Sequence, residues 1–228
     1  MLRETLSLMR DLPRLHEIAS VLVRYGWGDV VRIMGIANLL ERAGKLLRRP
    51  PSNDLEKLEL PVRIRLALTE LGPTFVKLGQ ILASRVDVFP PAWIDEFEKL
   101  HSQVPPLPFD QIRPELEAAY GRLLTEVFAD FDGTPFAAAS IAQVHRARLH
   151  DGTSVVVKVR RPNIVAKVEA DLRILEHLAR LLEFEIPESR RYRPVQIVGQ
   201  LRRSLMSELN LAKEARNLDV FALSLIHI

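Results

Sequence analysis

Ile141-Ala142-Gln143-Val144-His145-Arg146-Ala147-Arg148-Leu149 alternates in character and is rich in strand formers. His150-Asp151-Gly152 follows as a turn signal, and Thr153-Ser154-Val155-Val156-Val157-Lys158-Val159-Arg160 is a β-branched run. Two such runs around an Asp-Gly turn predict an antiparallel hairpin. Lysine in the middle of the second run demands a reason, because an ammonium in an apolar strand is costly to desolvate without a partner. Two readings stand open on these residues alone. Lys158 either points to water and blunts a sheet edge, or it faces an anionic ligand while paired with a carboxylate from elsewhere in the chain.

Working outward, the stretch Pro135-Phe136-Ala137-Ala138-Ala139-Ser140-Ile141-Ala142 precedes the hairpin, and no glycine occurs between Pro135 and Leu149. By composition, Ala137–Ala139 is a helix start or a small-residue packing site. Beside a lysine-bearing strand, it sits where a phosphate-covering loop belongs. Alanine resists positive φ, so such a loop lacks the freedom of a glycine-rich one. Downstream, Ser207-Glu208-Leu209-Asn210-Leu211-Ala212-Lys213-Glu214 supplies candidate carboxylates on a helix, although glutamates there are commonly just solvated. Upstream, Leu71-Gly72-Pro73-Thr74-Phe75-Val76-Lys77-Leu78-Gly79-Gln80 reads as a helix. Lys77 and Gln80, three apart, share a face of it. Gly79 costs that helix about 1 kcal/mol relative to Ala, which points to a close approach by a neighbour.

The remaining chain reads as mostly helical. Residues 13–48 carry apolar positions at three- and four-residue spacing, interrupted near Gly26-Trp27-Gly28-Asp29, and predict two amphipathic helices. Pro61 opens the next helix, and the Lys77 helix runs to about Ser84. Short helices are expected over Ala92–His101, Phe109–Tyr120 and Leu123–Phe128, with the proline-rich connector Val104–Pro108 between the first two. After the hairpin, a long helix is expected over Ile164–Glu183 and a final one from Val195 to Ala222. Helices, then a strand pair, then helices give an α+β class with a small antiparallel sheet. The expected division is 1–60, amphipathic helices; 61–132, a helical extension carrying Lys77; 133–222, the sheet-bearing lobe; and 223–228, an atypical tail.

Composition bounds the function. The 228 residues carry 32 basic and 29 acidic side chains, a net charge of +3 that leaves no basic stripe for nucleic acid. Arg48-Arg49 and Arg190-Arg191-Tyr192-Arg193 are local clusters suited to solvent or to anionic phosphate. With no cysteine, disulfides, thiolate catalysis and Cys-based zinc sites are excluded. The apolar pieces Ile18–Val23 and Ile33–Leu40 fall well short of the roughly 20 residues a spanning helix needs. No P-loop, serine elbow or H-E-x-x-H motif occurs. The six histidines are scattered, and His145 and His150 read as surface or turn residues rather than metal ligands.

Three segments resemble one family. Lys77-Leu78-Gly79-Gln80 resembles the K-x-G-Q signature of the UbiB family of atypical protein-kinase-like proteins. Ala137–Ala142 resembles that family's alanine-rich loop, and Lys158 its strand lysine. Glu208 and Glu214 match its two helix glutamates, while Asn210 stands where the family has aspartate, keeping an acceptor oxygen without the charge. The resemblance extends from about Leu15 to Phe221. It implies a helical extension packed on a kinase-like small lobe, with Lys77, Gln80, Glu208 and Glu214 as catalytic-site residues. It assigns Lys158, Ala137, Ala138, Ala139, Ser140, Ile141 and Ala142 to the nucleotide. ATP with Mg²⁺, ATPase-type phosphoryl chemistry and support of ubiquinone biosynthesis are implied too. Quinone-pathway lipids or proteins, and a cytoplasmic location peripheral to the inner membrane, complete that picture.

No H-R-D-type or D-F-G-type segment is present, and phosphoryl transfer needs such metal-binding and nucleophile-orienting groups. The expectation is therefore a truncated chain without the large lobe or the family's C-terminal anchor, nearly inactive alone. The competing expectation is a non-catalytic helical module in which residues 10–48 dock on lipid or a partner and the nucleotide pocket is inert.

Overall fold

The computed structural model describes residues 10–33, 36, 40–41, 55, 57–101 and 104–216. They fall into two compact units, one of Met1–His101 with Ala166–Leu205, the other of Ser102–Val165 with Met206–Ile228. The chain is α+β, and among the described residues all strands belong to the second unit.

The first unit is helical. Helices α1 (Leu12–Arg24) and α2 (Gly28–Ile33) are separated by a turn at Gly26, where an interruption is expected. The expected continuation to residue 48 lies largely outside the described residues. Helices α3 (Leu60–Leu71) and α4 (Pro73–Ala83) meet at Gly72, whose φ of 101° lets the chain turn between two helices without a gap. Pro61 and Pro73 stand at the starts of these helices, where a missing N–H costs nothing. Helix α5 (Pro91–Glu98) packs Phe97 with Leu100 and Val76 in one small core. A larger core gathers Leu15, Ile18, Ala19, Leu71 and Phe75 with Ile174. Ile174 comes from α8 (Ile164–Glu185), the long helix that follows the sheet. A 3₁₀ turn over Pro187–Tyr192 leads into α9 (Pro194–Leu209).

A buried polar cluster ties this unit together. Arg14 donates from Nε to Asp171 Oδ1 at 2.6 Å and from Nη2 to Asp171 Oδ2 at 3.1 Å and to Leu71 O at 2.7 Å. Asp171 is fully buried, and Arg173 forms a second fork on Asp11. One guanidinium thus fastens α1 and α8 to the α3–α4 elbow that precedes the K-x-G-Q sequence.

The second unit begins with α6 (Phe109–Tyr120) and the short α7 (Leu124–Val127), then forms a sheet of β1 (Phe128–Phe131), β2 (Ala137–Ala138), β3 (Ala142–Leu149) and β4 (Ser154–Arg160). All pairings are antiparallel, and β3 pairs with β1, β2 and β4. The expected strand pair is therefore a larger sheet. Phe128 and Phe131 turn the end of the predicted short helix into β1 by packing into the aromatic and aliphatic core beneath the sheet. In β3 and β4 the odd-numbered positions face that core and the even-numbered positions face away.

That register corrects the reading of His145, which is fully buried and not a surface residue. Its Nδ1 lies 2.9 Å from Asp132 O and its Nε2 lies 2.9 Å from Gln143 Nε2. Gln143, also fully buried, accepts the Leu107 N–H at 3.0 Å and donates to Leu107 O at 3.3 Å, stitching the proline-rich connector to the sheet. Two inward polar side chains are tolerated because each satisfies the other and the backbone.

The expected helix from Val195 to Ala222 is also corrected. Helix α9 ends at Leu209, Asn210 is non-helical, and residues 211–216 form a new helical turn. Asn210 Oδ1 accepts the Lys213 N–H at 2.9 Å, the bond by which an N-cap side chain starts a helix. Residues 217–222 and the 223–228 tail lie outside the described residues.

Candidate functional site

The even-numbered face of β4 carries Val156 and Lys158, and Val156 is 66% exposed. One packed and one solvated face is the usual state of an antiparallel sheet, and Lys158 lies on the solvated one. Lys158 pairs across the sheet with Val144 of β3. Its Nζ donates to both oxygens of Glu214, at 2.7 Å each. Glu214 occupies the helical turn that Asn210 caps, so a local cap sets the height at which this carboxylate meets the lysine. The side chains are 37% and 45% exposed. Exposed pairs contribute only about 0.2–1 kcal/mol to stability, so this arrangement is not explained by holding the fold.

The alanine-rich loop lies between β2 and β3. Ala137 and Ala138 pair with Val144 and Gln143, and the Ala139 N–H donates to Ala142 O at 2.8 Å, closing a tight turn. Ala139, Ser140, Ile141, Ala142 and Lys158 line a cavity of about 370 Å³. Ser207, Glu208, Lys213 and Glu214 line it too.

Seven residues singled out from the sequence thus share one pocket: Ala139, Ser140, Ile141, Ala142, Lys158, Glu208 and Glu214. Ala137 and Ala138 sit in β2 and support the loop instead of lining the cavity. Lys77 and Gln80 belong to the first unit, on α4. There Gln80 Nε2 donates to Leu100 O at 3.0 Å, and Lys77 is half-buried. Sequence reading missed Ser207 and Lys213. Lys213 Nζ donates to Ser207 Oγ at 3.3 Å. The signal was available, since a lysine adjacent to the pairing glutamate brings a second cation to any anion held at Lys158.

The lining carries two ammonium groups, Lys158 and Lys213, and two carboxylates, Glu208 and Glu214, the second of which holds Lys158; a phosphate-bearing ligand would be met there by the ammonium groups and the turn. A divalent metal fits less well. Among the described residues no group of three histidine, aspartate or glutamate side chains is placed to hold one. Among the described residues, no helix is long and apolar enough to cross a membrane.

A strand lysine paired with a helix glutamate beneath a small-residue turn, on an antiparallel sheet, defines a kinase-like small lobe. Family comparison agrees, since residues 99–228 match the ABC1 atypical kinase-like domain. The chain belongs to the ABC1 atypical kinase-like family, and its relatives are of the UbiB type. It is 41% identical over 212 residues to the probable protein kinase UbiB of Aeromonas hydrophila, covering 91% of this chain and 38% of that one. The corresponding protein of Sodalis glossinidius is 40% identical over 207 residues, with the same coverage. The chain therefore spans 38% of the length of these curated relatives. Among solved structures, the complex of Rv3197 with erythromycin from Mycobacterium tuberculosis is 28% identical, with a TM-score of 0.30 over 75% of this chain and 35% of that one.

Proposed function

We propose that the Lys158 pocket binds an adenine nucleotide, and that the chain supplies the nucleotide-gripping part of a UbiB-type atypical kinase or ATPase serving ubiquinone biosynthesis. The observation that carries this reading is the two-oxygen grip of Glu214 on the Lys158 ammonium at 2.7 Å, beneath the Ala139–Ala142 turn. In this role Lys158 neutralises phosphate charge, Glu214 fixes where the ammonium sits, and Lys213 adds a second cation. The short loop covers the phosphates and limits water. Phosphoryl chemistry with ATP and Mg²⁺ is the reaction such a site serves.

The K-x-G-Q residues Lys77 and Gln80 and the glutamate Glu208 enter the proposal as participants in turnover, tested by Lys77→Ala in a chain of the relatives' full length. The 228-residue chain alone is expected to bind nucleotide weakly and to turn over ATP negligibly. Steady hydrolysis by the purified chain, lost on Lys158→Ala, overturns that expectation.

A second reading rests on a separate observation. In the first unit Arg85, Arg191, Arg193 and Arg203 line a groove of about 440 Å³, with Asp87 as its one acid. Arg85 is forked onto Asp87, which leaves the groove net positive. Beside it in sequence, Val86 is 76% exposed. Cations next to an exposed apolar side chain suit an anionic membrane surface, which supports a peripheral association with a membrane. Flotation with vesicles containing anionic lipid tests this: co-flotation lost on Arg191→Glu with Arg203→Glu supports it, and no co-flotation by the wild type removes it.

A further inference from the structure

Arg161 directly follows β4, and no feature of its sequence context singled it out. Its Nε donates to Ala139 O at 2.9 Å and its Nη2 donates to Pro105 O at 2.8 Å. Its own backbone N–H donates to Ile141 O at 2.9 Å. One residue therefore grips both ends of the Ala139–Ile141 turn and the proline-rich connector as well. The guanidinium is half-buried, and burial lowers its pKa from the ordinary value. Among the described residues no carboxylate pairs with it. A cation drawn partly out of water onto two carbonyls is an expensive fastening, and the rigid planar fork of arginine makes it directional.

The turn needs such a fastening. Glycine-free, it cannot reshape itself around a ligand by visiting positive φ. The Ala139 N–H is already committed to Ala142 O. Among the described residues the Ser140 N–H and hydroxyl and the Ile141 N–H make no hydrogen bond, so they are the donors this turn has left for a ligand in the cavity it lines.

We propose that Arg161 is the positioning residue of the alanine-rich loop, holding Ala139–Ile141 in one shape above Lys158 so that Ser140 is presented to the bound phosphates. Its consequence for binding rests on the nucleotide reading; its grip on the loop does not. Lysine at this position reaches one carbonyl but cannot bridge two, so Arg161→Lys retains part of the effect.

The test uses the 228-residue chain. Amide exchange by NMR is measured for wild type, Arg161→Ala and Arg161→Lys, followed by titration with ADP and with inorganic phosphate. The expected result is exchange of the Ala139 N–H, which is bonded to Ala142 O, at least tenfold faster in Arg161→Ala and intermediate in Arg161→Lys, while β4 and α8 stay within twofold. ADP affinity is expected to fall about tenfold in Arg161→Ala. If that variant fails to fold, Arg161→Lys decides by the same criteria. Ala139 exchange within twofold of wild type, or a uniform rise across the sheet, overturns the proposal. Faster Ala139 exchange with unchanged ADP affinity overturns it too. A Lys158→Met control that binds ADP like wild type, or a wild type that does not bind ADP, overturns the nucleotide reading instead and leaves the exchange result to decide the grip.

Discussion

A β-carbon on Gly79 would lie 2.1 Å from Leu100 Cδ1 and 3.0 Å from Leu68 Cδ1. Leu100 is itself buried against Phe97 and Val76 and has little room to withdraw. The glycine of the K-x-G-Q sequence is therefore required by packing inside the first unit, before any ligand is considered. Its neighbour Gln80 reaches the backbone of the same Leu100. Overpacking a core costs roughly 1–3 kcal/mol, and replacing a helical glycine with alanine returns about 1 kcal/mol. At such a short separation the first effect wins. Gly79→Ala should lower stability by about 1–2 kcal/mol in urea denaturation, and the double variant Gly79→Ala, Leu100→Ala should recover part of the overpacking cost. Gly79→Ala at wild-type stability contradicts the packing account.

The Arg14–Asp171 fork is buried on both sides, at 8% and 0% side-chain exposure. Removing one member of a buried pair strands the other and costs about 3–5 kcal/mol. Asp171→Ala should approach that loss, while a double replacement by apolar residues, Arg14→Met with Asp171→Leu, should lose much less. Equal losses for the single and double variants would show that the charges do not stabilise each other.

Glu96 provides the pH dependence. Hydrogen bonds from Lys99 first, and from Arg65 at 2.7 Å, hold its carboxyl below the ordinary value of 4.5. A carboxyl depressed on folding contributes stability that is present above its unfolded pKa and lost as the pH falls through its folded one. Thermal melts of wild type should therefore decline below about pH 4.5 more steeply than those of Glu96→Gln. Parallel curves for the two proteins rule out this contribution.

Asn210 caps the turn that carries Lys213 and Glu214. Replacing an N-cap by alanine costs about 1 kcal/mol, whereas aspartate caps as well as asparagine. Asn210→Ala should loosen residues 211–216, read as faster amide exchange at Lys213 and Glu214, and Asn210→Asp should not. Asn210 would then act as a local cap, and identical exchange in all three proteins would remove that role.

The hairpin, the long helix after it and the lysine in β4 were legible because each rests on local pattern: a turn dipeptide, a period of two, a period of 3.6. Three features were not. Phe128 and Phe131 become strand through pairing with residues 147–149, a contact about 20 positions away that local periodicity does not carry. His145 and Gln143 are inward because of the sheet register, and two polar residues on a core face look like surface until their mutual bonds are known. Asn210 ends a helix whose apolar spacing continues past it, because its side chain competes for a backbone N–H. Within the pocket, Lys158 and Glu214 came from motif and spacing. Ser207 in the pocket and Arg161 beside it emerge only with the turn at Asn210 and the end of β4 in place, whereas Lys213 was signalled by its position next to Glu214.

The most direct test of the nucleotide pocket is an NMR titration of the 228-residue chain with ADP, wild type against Lys158→Met. The account predicts saturable shifts confined to Ala139–Ala142, Lys158 and residues 207–214, lost in Lys158→Met while its melting curve stays within about 1 kcal/mol of wild type. Shifts elsewhere, or identical shifts in both proteins, would contradict it.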